Sequence, residues 1–115
     1  MKLDCSCIGI EWEHLIALDG YNDDVALGIK LQYGSENTKF FYSTVNLGKS
    51  SWVNELISKS KGEILFFLDS DDFVLRGRTY QQYKCLKENE LLDCVGSNYL
   101  TWDKNKSFGN VEYPK

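Results

Sequence analysis

The fold is decided in the middle of the chain, where an apolar run meets three carboxylates: Gly62-Glu63-Ile64-Leu65-Phe66-Phe67-Leu68-Asp69-Ser70-Asp71-Asp72. Residues 64–68 are all apolar, a pattern typical of a strand buried on both faces of a sheet. The charges of Asp69, Asp71 and Asp72 then belong just beyond the carboxyl end of that strand. Open α/β sheets bind their ligands at this end.

The acidic cluster itself predicts a metal. Three carboxylates within four positions repel one another unless a cation neutralises them. Carboxylate oxygens favour a hard divalent ion, Mn²⁺ or Mg²⁺, which also holds phosphate. Because the motif is short, a second interpretation stays open, namely an acidic turn that caps the next helix.

The flanking residues lengthen the pattern. Before the apolar run come Asn46-Leu47-Gly48, a helical segment with Asn54 on it, and Ser60-Lys61-Gly62-Glu63. Further upstream, an apolar segment ends in Leu18-Asp19-Gly20. In this order and spacing the segments resemble the nucleotide-binding half of family 2 glycosyltransferases, the inverting enzymes of the GT-A fold. The resemblance covers roughly residues 11 to 103.

The resemblance implies a role for each matching residue. Asp69 and Asp71 match the metal-binding Asp-x-Asp pair, with Asp71 as the direct ligand of the metal on the sugar-nucleotide diphosphate. Asp69 would contact the ribose or the metal, and Asp72 would orient the other two. Asp19 matches the residue that accepts a hydrogen bond from the nucleotide base, and Asn54 matches the asparagine of the nucleotide-sugar site. The implied cofactor is Mn²⁺ or Mg²⁺, and no residue is assigned as the catalytic base.

Plainer interpretations remain for several of these residues. Asp19 and Gly20 also fit an ordinary tight turn, and Asn54 fits an amide on a helix surface. His14 is the one histidine of the sequence and precedes a predicted strand, which favours a structural role over a catalytic one.

The chain also departs from the family pattern. Leu18 stands where the family usually has a second aspartate, and Val53 where it has an arginine. Residues 1–10 are too short for the family's first strand and helix, so they are either a remnant of that helix or a substitute strand. No counterpart of the acceptor half, with its catalytic base, precedes Lys115. The sequence therefore predicts a partial GT-A domain, truncated at both ends.

Composition narrows the class of protein. The 115 residues predict a single domain, 1–115, and a net charge of −4 without a basic run disfavours nucleic-acid binding. No segment has the length of a membrane span and no signal peptide is evident, which predicts a cytoplasmic protein. The four cysteines lack paired spacing, so we interpret them as reduced thiols rather than metal ligands, although Cys5 and Cys7 leave the second option open.

Alternating strands and helices predict a three-layer α/β fold with a mostly parallel sheet. We expect strands near 14–18, 39–45, 64–68 and 94–100. Helices are expected from Asp23 towards Gly34, over about 50–61 and over 79–90, with a hairpin turn at 103–106. A truncated sheet leaves exposed strand edges, which predicts a homo-oligomer. The alternative is that residues 3–10 fold back and complete the sheet, which would leave a monomer.

Two functions from different classes follow. The first is a metal-dependent transfer of sugar from a UDP- or GDP-sugar to an unknown acceptor, in which this chain alone is inactive. The second is a non-catalytic nucleotide-sugar-binding or subunit domain of the same fold. An unrelated Mg²⁺-dependent phosphotransferase is a weaker third alternative.

Overall fold

A computed structural model describes residues 9–103 and 106–111 of the chain. Within these residues the elements are β1 (His14–Asp19), α1 (Asp23–Tyr33), β2 (Thr38–Ser43), α2 (Lys49–Lys59), α3 (Arg78–Glu88), β3 (Tyr99–Asp103) and β4 (Lys106–Val111). They fall into two compact units, which meet in sequence between Phe67 and Leu68. This division does not test the expectation of a single domain, which stays a prediction.

The first unit, Gly9–Phe67, is built around a βαβ arrangement. Strands β1 and β2 pair in parallel, in a register that runs from His14 opposite Thr38 to Asp19 opposite Ser43. Helix α1 connects them, and its first turn is capped by the Asn22 side chain, whose Oδ1 accepts from the backbone N–H of Val25 at 2.9 Å. A parallel pair joined through a helix confirms the predicted α/β class, and the strands expected near 14–18 and 39–45 are confirmed apart from their ends.

The apolar centre of this unit is small. Three apolar side chains are buried among the described residues: Leu18 of β1, Ala26 of α1 and Trp52 of α2. Helix α2 lies against β1. One residue of this centre, Leu18, directly precedes Asp19, so core packing fixes the end of the strand at which the predicted nucleotide contact lies.

The described part of the second unit, from Leu68 onward, contains α3 and an antiparallel pair. Strands β3 and β4 pair from Tyr99 opposite Val111 to Asp103 opposite Lys106. This register confirms the predicted hairpin, although residues 104 and 105 of its turn lie outside the described residues. Gln82 of α3 is buried, and its Nε2 donates to Ser97 Oγ at 3.4 Å.

Two strand predictions are wrong. Residues 64–68 form no strand, and the side chains of Leu65, Phe66 and Phe67 are 40–59% exposed. An apolar run becomes a strand only where a neighbouring strand supplies a hydrogen-bonding partner, and no described strand pairs with this segment. The strand expected at 94–100 begins instead at Tyr99, and its partner is antiparallel.

Two further expectations concern the ends and the surface of the chain. The alternatives for residues 1–10 fall almost entirely on residues 1–8, outside the described residues. Among the helices that are described, none combines the length and the apolar character needed to cross a membrane.

Candidate functional site

Asp19 ends β1, and its carboxylate accepts three hydrogen bonds. Its Oδ1 accepts from the backbone N–H of Leu47 at 2.7 Å and from the indole Nε1–H of Trp52 at 2.9 Å. Its Oδ2 accepts from the backbone N–H of Gly48 at 2.9 Å. The carboxylate therefore joins the end of β1 to the residues that lead into α2.

Local backbone geometry makes these contacts possible. Gly20 turns the chain directly after Asp19 with φ of +78°, and its N–H donates to Ser43 O. Gly48, the residue before α2, has φ of +86° and no capping side chain of its own. Both conformations favour glycine. Asp19 thus accepts from the two backbone N–H groups that directly precede α2, which places its negative charge near the N-terminal end of the helix.

These contacts also fix the charge of Asp19. Hydrogen bonds from Leu47 first, and from Trp52 and Gly48, lower the pKa of Asp19 below its ordinary value of 3.8, against a smaller opposing effect of burial. The side chain is therefore an ionised acceptor at neutral pH. The tight-turn interpretation and the functional one are both compatible with this geometry, since a carboxylate offers about four acceptor positions.

Trp52 is a functional candidate that sequence reasoning missed. Trp52 lies on the helix predicted over about 50–61, and its ring is buried. The pattern did not indicate that its N–H binds Asp19, which lies 33 residues earlier. A buried tryptophan usually finds an acceptor for its N–H, and that rule is the signal that could have suggested a partner.

A second carboxylate that sequence reasoning missed is Glu13, just before β1. It accepts a hydrogen bond from the backbone N–H of Lys61 and pairs with Lys39 at 3.4 Å. The Lys61 contact is the main cause that lowers the pKa of Glu13. Glu13 thereby holds the segment after α2 beside the start of β1, which is a structural role.

The acidic cluster has a different environment. Asp69, Asp71 and Asp72 are exposed, and the backbone N–H of Asp72 donates to Asp69 O at 3.1 Å, which closes a turn. Helix α3 begins only at Arg78, has Gly77 as its N-cap, and carries no acidic residue in its first turn. The cluster therefore does not cap the next helix, and that alternative is wrong.

The donor atoms of this acidic turn suit a hard divalent metal. Mg²⁺ is commonly bound by one or two carboxylates together with substrate phosphates, not by a complete protein cage. Among the described residues, no three His, Cys, Asp or Glu side chains are placed so that they could hold a metal ion by themselves. Asp69 and Asp71 each offer exposed carboxylate oxygens, the type of ligand that such an ion prefers.

The remaining candidates are Asn54, His14 and the cysteines. Asn54 is exposed on α2, as expected for either of its interpretations. His14 is half-buried at the start of β1, and burial lowers its pKa. Cys85 and Cys94 are free thiols, whereas Cys5 and Cys7 lie outside the described residues.

Comparison with known proteins gives a consistent picture. The family model described as "Glycosyl transferase family 2" matches residues 6–112. The chain is 27% identical over 103 residues to an uncharacterized glycosyltransferase of Methanocaldococcus jannaschii, covering 88% of this chain and 34% of that protein. Uncharacterized glycosyltransferases of Rickettsia bellii (31% over 112 residues, 90% of this chain and 16% of that one) and Haemophilus influenzae (28% over 102 residues, 85% and 40%) are also similar. No solved structure matches. The chain thus spans well under half the length of these relatives.

Proposed function

Because the chain belongs to glycosyl transferase family 2 and has the α/β GT-A fold of that family, we propose that it binds a nucleotide-diphosphate sugar with the help of Mn²⁺ or Mg²⁺. The family match carries this proposal. The exposed acidic turn at 69–72 supports it, since these carboxylates do not cap α3.

We assign the metal to Asp71 and Asp69, whose oxygens are the ligands that hard divalent ions prefer. Asp72 belongs to the same turn, where its backbone N–H bonds to Asp69 O, and would orient the other two. When bound, the metal would supply Lewis-acid compensation for charge on the departing diphosphate. Asn54 remains a candidate contact of the nucleotide sugar.

We propose that Asp19 accepts a hydrogen bond from the nucleotide base. Its carboxylate stays ionised because three N–H groups donate to it, so it can accept one further N–H from a base. A fixed and charged acceptor of this kind orients a ligand at little entropic cost, because the protein has already ordered it.

For the whole enzyme we propose transfer of the sugar from a UDP- or GDP-sugar to an acceptor. This chain by itself is expected to bind without transferring, because none of its residues is assigned as the catalytic base. A non-catalytic nucleotide-sugar-binding or subunit domain is the second candidate, and the same missing assignment favours it. The cytoplasmic location and the homo-oligomer expected from the sequence stay predictions.

Calorimetric titration with UDP and GDP, with and without Mn²⁺, tests the proposal. We expect nucleotide binding that requires Mn²⁺ or Mg²⁺. The Asp71→Ala variant should lose the metal-dependent part of this binding. Asp93→Ala is the matched control, because Asp93 is an exposed aspartate of the same unit outside the acidic turn.

Three outcomes separate the alternatives. Equal binding by the parent and Asp71→Ala would show that the metal assignment is wrong. Binding that needs no metal in the parent would overturn the metal dependence while leaving the nucleotide site intact. In a separate assay with UDP- or GDP-sugars, transfer of sugar to an acceptor by this chain alone would overturn the expectation of inactivity and reject the non-catalytic alternative.

A further inference from the structure

The hydrogen bonds at Asp19 are unequally shared between its two oxygens. Oδ1 receives two donors, the N–H of Leu47 and the indole N–H of Trp52, whereas Oδ2 receives one, the N–H of Gly48. A carboxylate oxygen offers two acceptor positions. Within the described part of the chain, Oδ1 is therefore fully used and Oδ2 keeps one position for a ligand.

From this asymmetry we infer that Trp52 is a specificity-determining residue: by occupying Oδ1 of Asp19, it makes the site select a base with a single imide N–H, uracil or thymine, over guanine. The inference rests on the proposed function, specifically on base recognition by Asp19. Trp52 is a positioning residue, since it acts through the carboxylate and needs no contact with the ligand.

The chemistry of the bases explains the selection. Uracil and thymine present one N–H, at N3, which a single acceptor position on Oδ2 satisfies. Guanine presents two adjacent donors, N1–H and N2–H, and a carboxylate meets both only when each oxygen takes one. With Oδ1 filled, the second guanine donor would be left without a partner, and an unmet donor in a binding site weakens binding by about tenfold.

Two features of the site keep this asymmetry in place. The Trp52 ring is buried, so its N–H cannot turn away without moving the ring. The other donor to Oδ1 is a backbone N–H, from Leu47, in the turn that leads into α2. Of the two donors to Oδ1, only the Trp52 indole belongs to a side chain, so it can be removed without changing the backbone.

The test compares the affinities of UDP, dTDP, GDP and N3-methyl-UDP at one fixed Mn²⁺ concentration, in the parent and in Trp52→Phe. In the parent we expect UDP or dTDP to bind about tenfold more tightly than GDP, and N3-methylation of UDP to remove that advantage. Comparison of UDP with dTDP shows whether the site prefers uracil or thymine, which present the same imide N–H. Trp52→Phe frees one position on Oδ1, so the preference over GDP should fall about tenfold.

Trp12→Phe is the matched control, because Trp12 is 44% exposed and the substitution is the same. It should leave the preference unchanged. Circular dichroism of both variants shows whether they fold, and the N3-methyl-UDP arm needs no variant. Equal binding of UDP and GDP by the parent overturns the inference but not the proposed function. Equal binding of UDP and N3-methyl-UDP also overturns the assignment of the base to Asp19, while metal-dependent nucleotide binding stands. An unchanged preference in folded Trp52→Phe overturns the role of Trp52. Failure of every nucleotide to bind overturns the proposed function together with the inference.

Discussion

Two carboxylate turns of this chain look alike in sequence and differ in surroundings. Asp19 is the last residue of a paired strand and accepts hydrogen bonds from two backbone N–H groups and an indole N–H. The acidic turn around Asp71 follows an apolar segment that forms no strand, and its carboxylates are exposed. Asp19 therefore contributes to folding as well as to any ligand site, whereas no comparable hydrogen bonds join the Asp71 carboxylate to the rest of the described residues.

The comparison has a consequence for mutagenesis. Loss of nucleotide binding after a change at Asp19 would have two explanations, because the same change removes contacts that hold α2 to β1. Loss after a change at Asp71 would point to the ligand. Stability measurements at both turns are therefore needed before binding data are interpreted.

The largest expected effect is at Trp52, the residue that links Asp19 to the core. Trp52→Ala removes a buried ring and the N–H that binds Asp19 Oδ1, and should lower the free energy of unfolding by about 3–5 kcal/mol. Urea unfolding followed by circular dichroism measures it. Trp12→Ala is the control and should cost far less, because Trp12 is 44% exposed. Equal losses in the two variants would show that the link between Asp19 and the core is unimportant.

The next effect is at Asp19 itself and depends on pH. The lowered pKa of Asp19 means that its contribution to stability is complete above 3.8, the ordinary value, and is lost as the pH falls through the lower value of the folded state. Asp19→Asn should therefore unfold at lower urea concentration than the parent at pH 7, because its amide N–H₂ opposes an N–H donor. The difference should shrink below pH 3.8. A difference that is constant from pH 7 to pH 3 would show that the charge of Asp19 is not what stabilises the turn.

The sequence predicted the surroundings of Asp19 better than those of the acidic turn. The sequence predicted that Asp19 ends a strand, and that strand is paired. It did not predict that the carboxylate accepts from the residues that lead into α2. Residues 64–68 carried the strongest apolar signal of the chain, yet they form no strand, because periodicity indicates burial and cannot supply a hydrogen-bonding partner. The contact between Trp52 and Asp19 could not be predicted from the sequence either. A helical pattern shows which face a residue lies on, but not which distant atom its side chain contacts.

The smallest expected effect is at Asp71. Asp71→Asn makes the same chemical change as Asp19→Asn, but at an exposed position. It should alter the free energy of unfolding by less than about 0.5 kcal/mol, as measured by urea unfolding at pH 7. If the three neighbouring carboxylates repel one another in the free protein, the change should be slightly stabilising, and added salt should reduce it by screening. A clear destabilisation would show that Asp71 has a structural partner comparable to those of Asp19. Loss of metal-dependent binding could then no longer be attributed to the metal ligand alone.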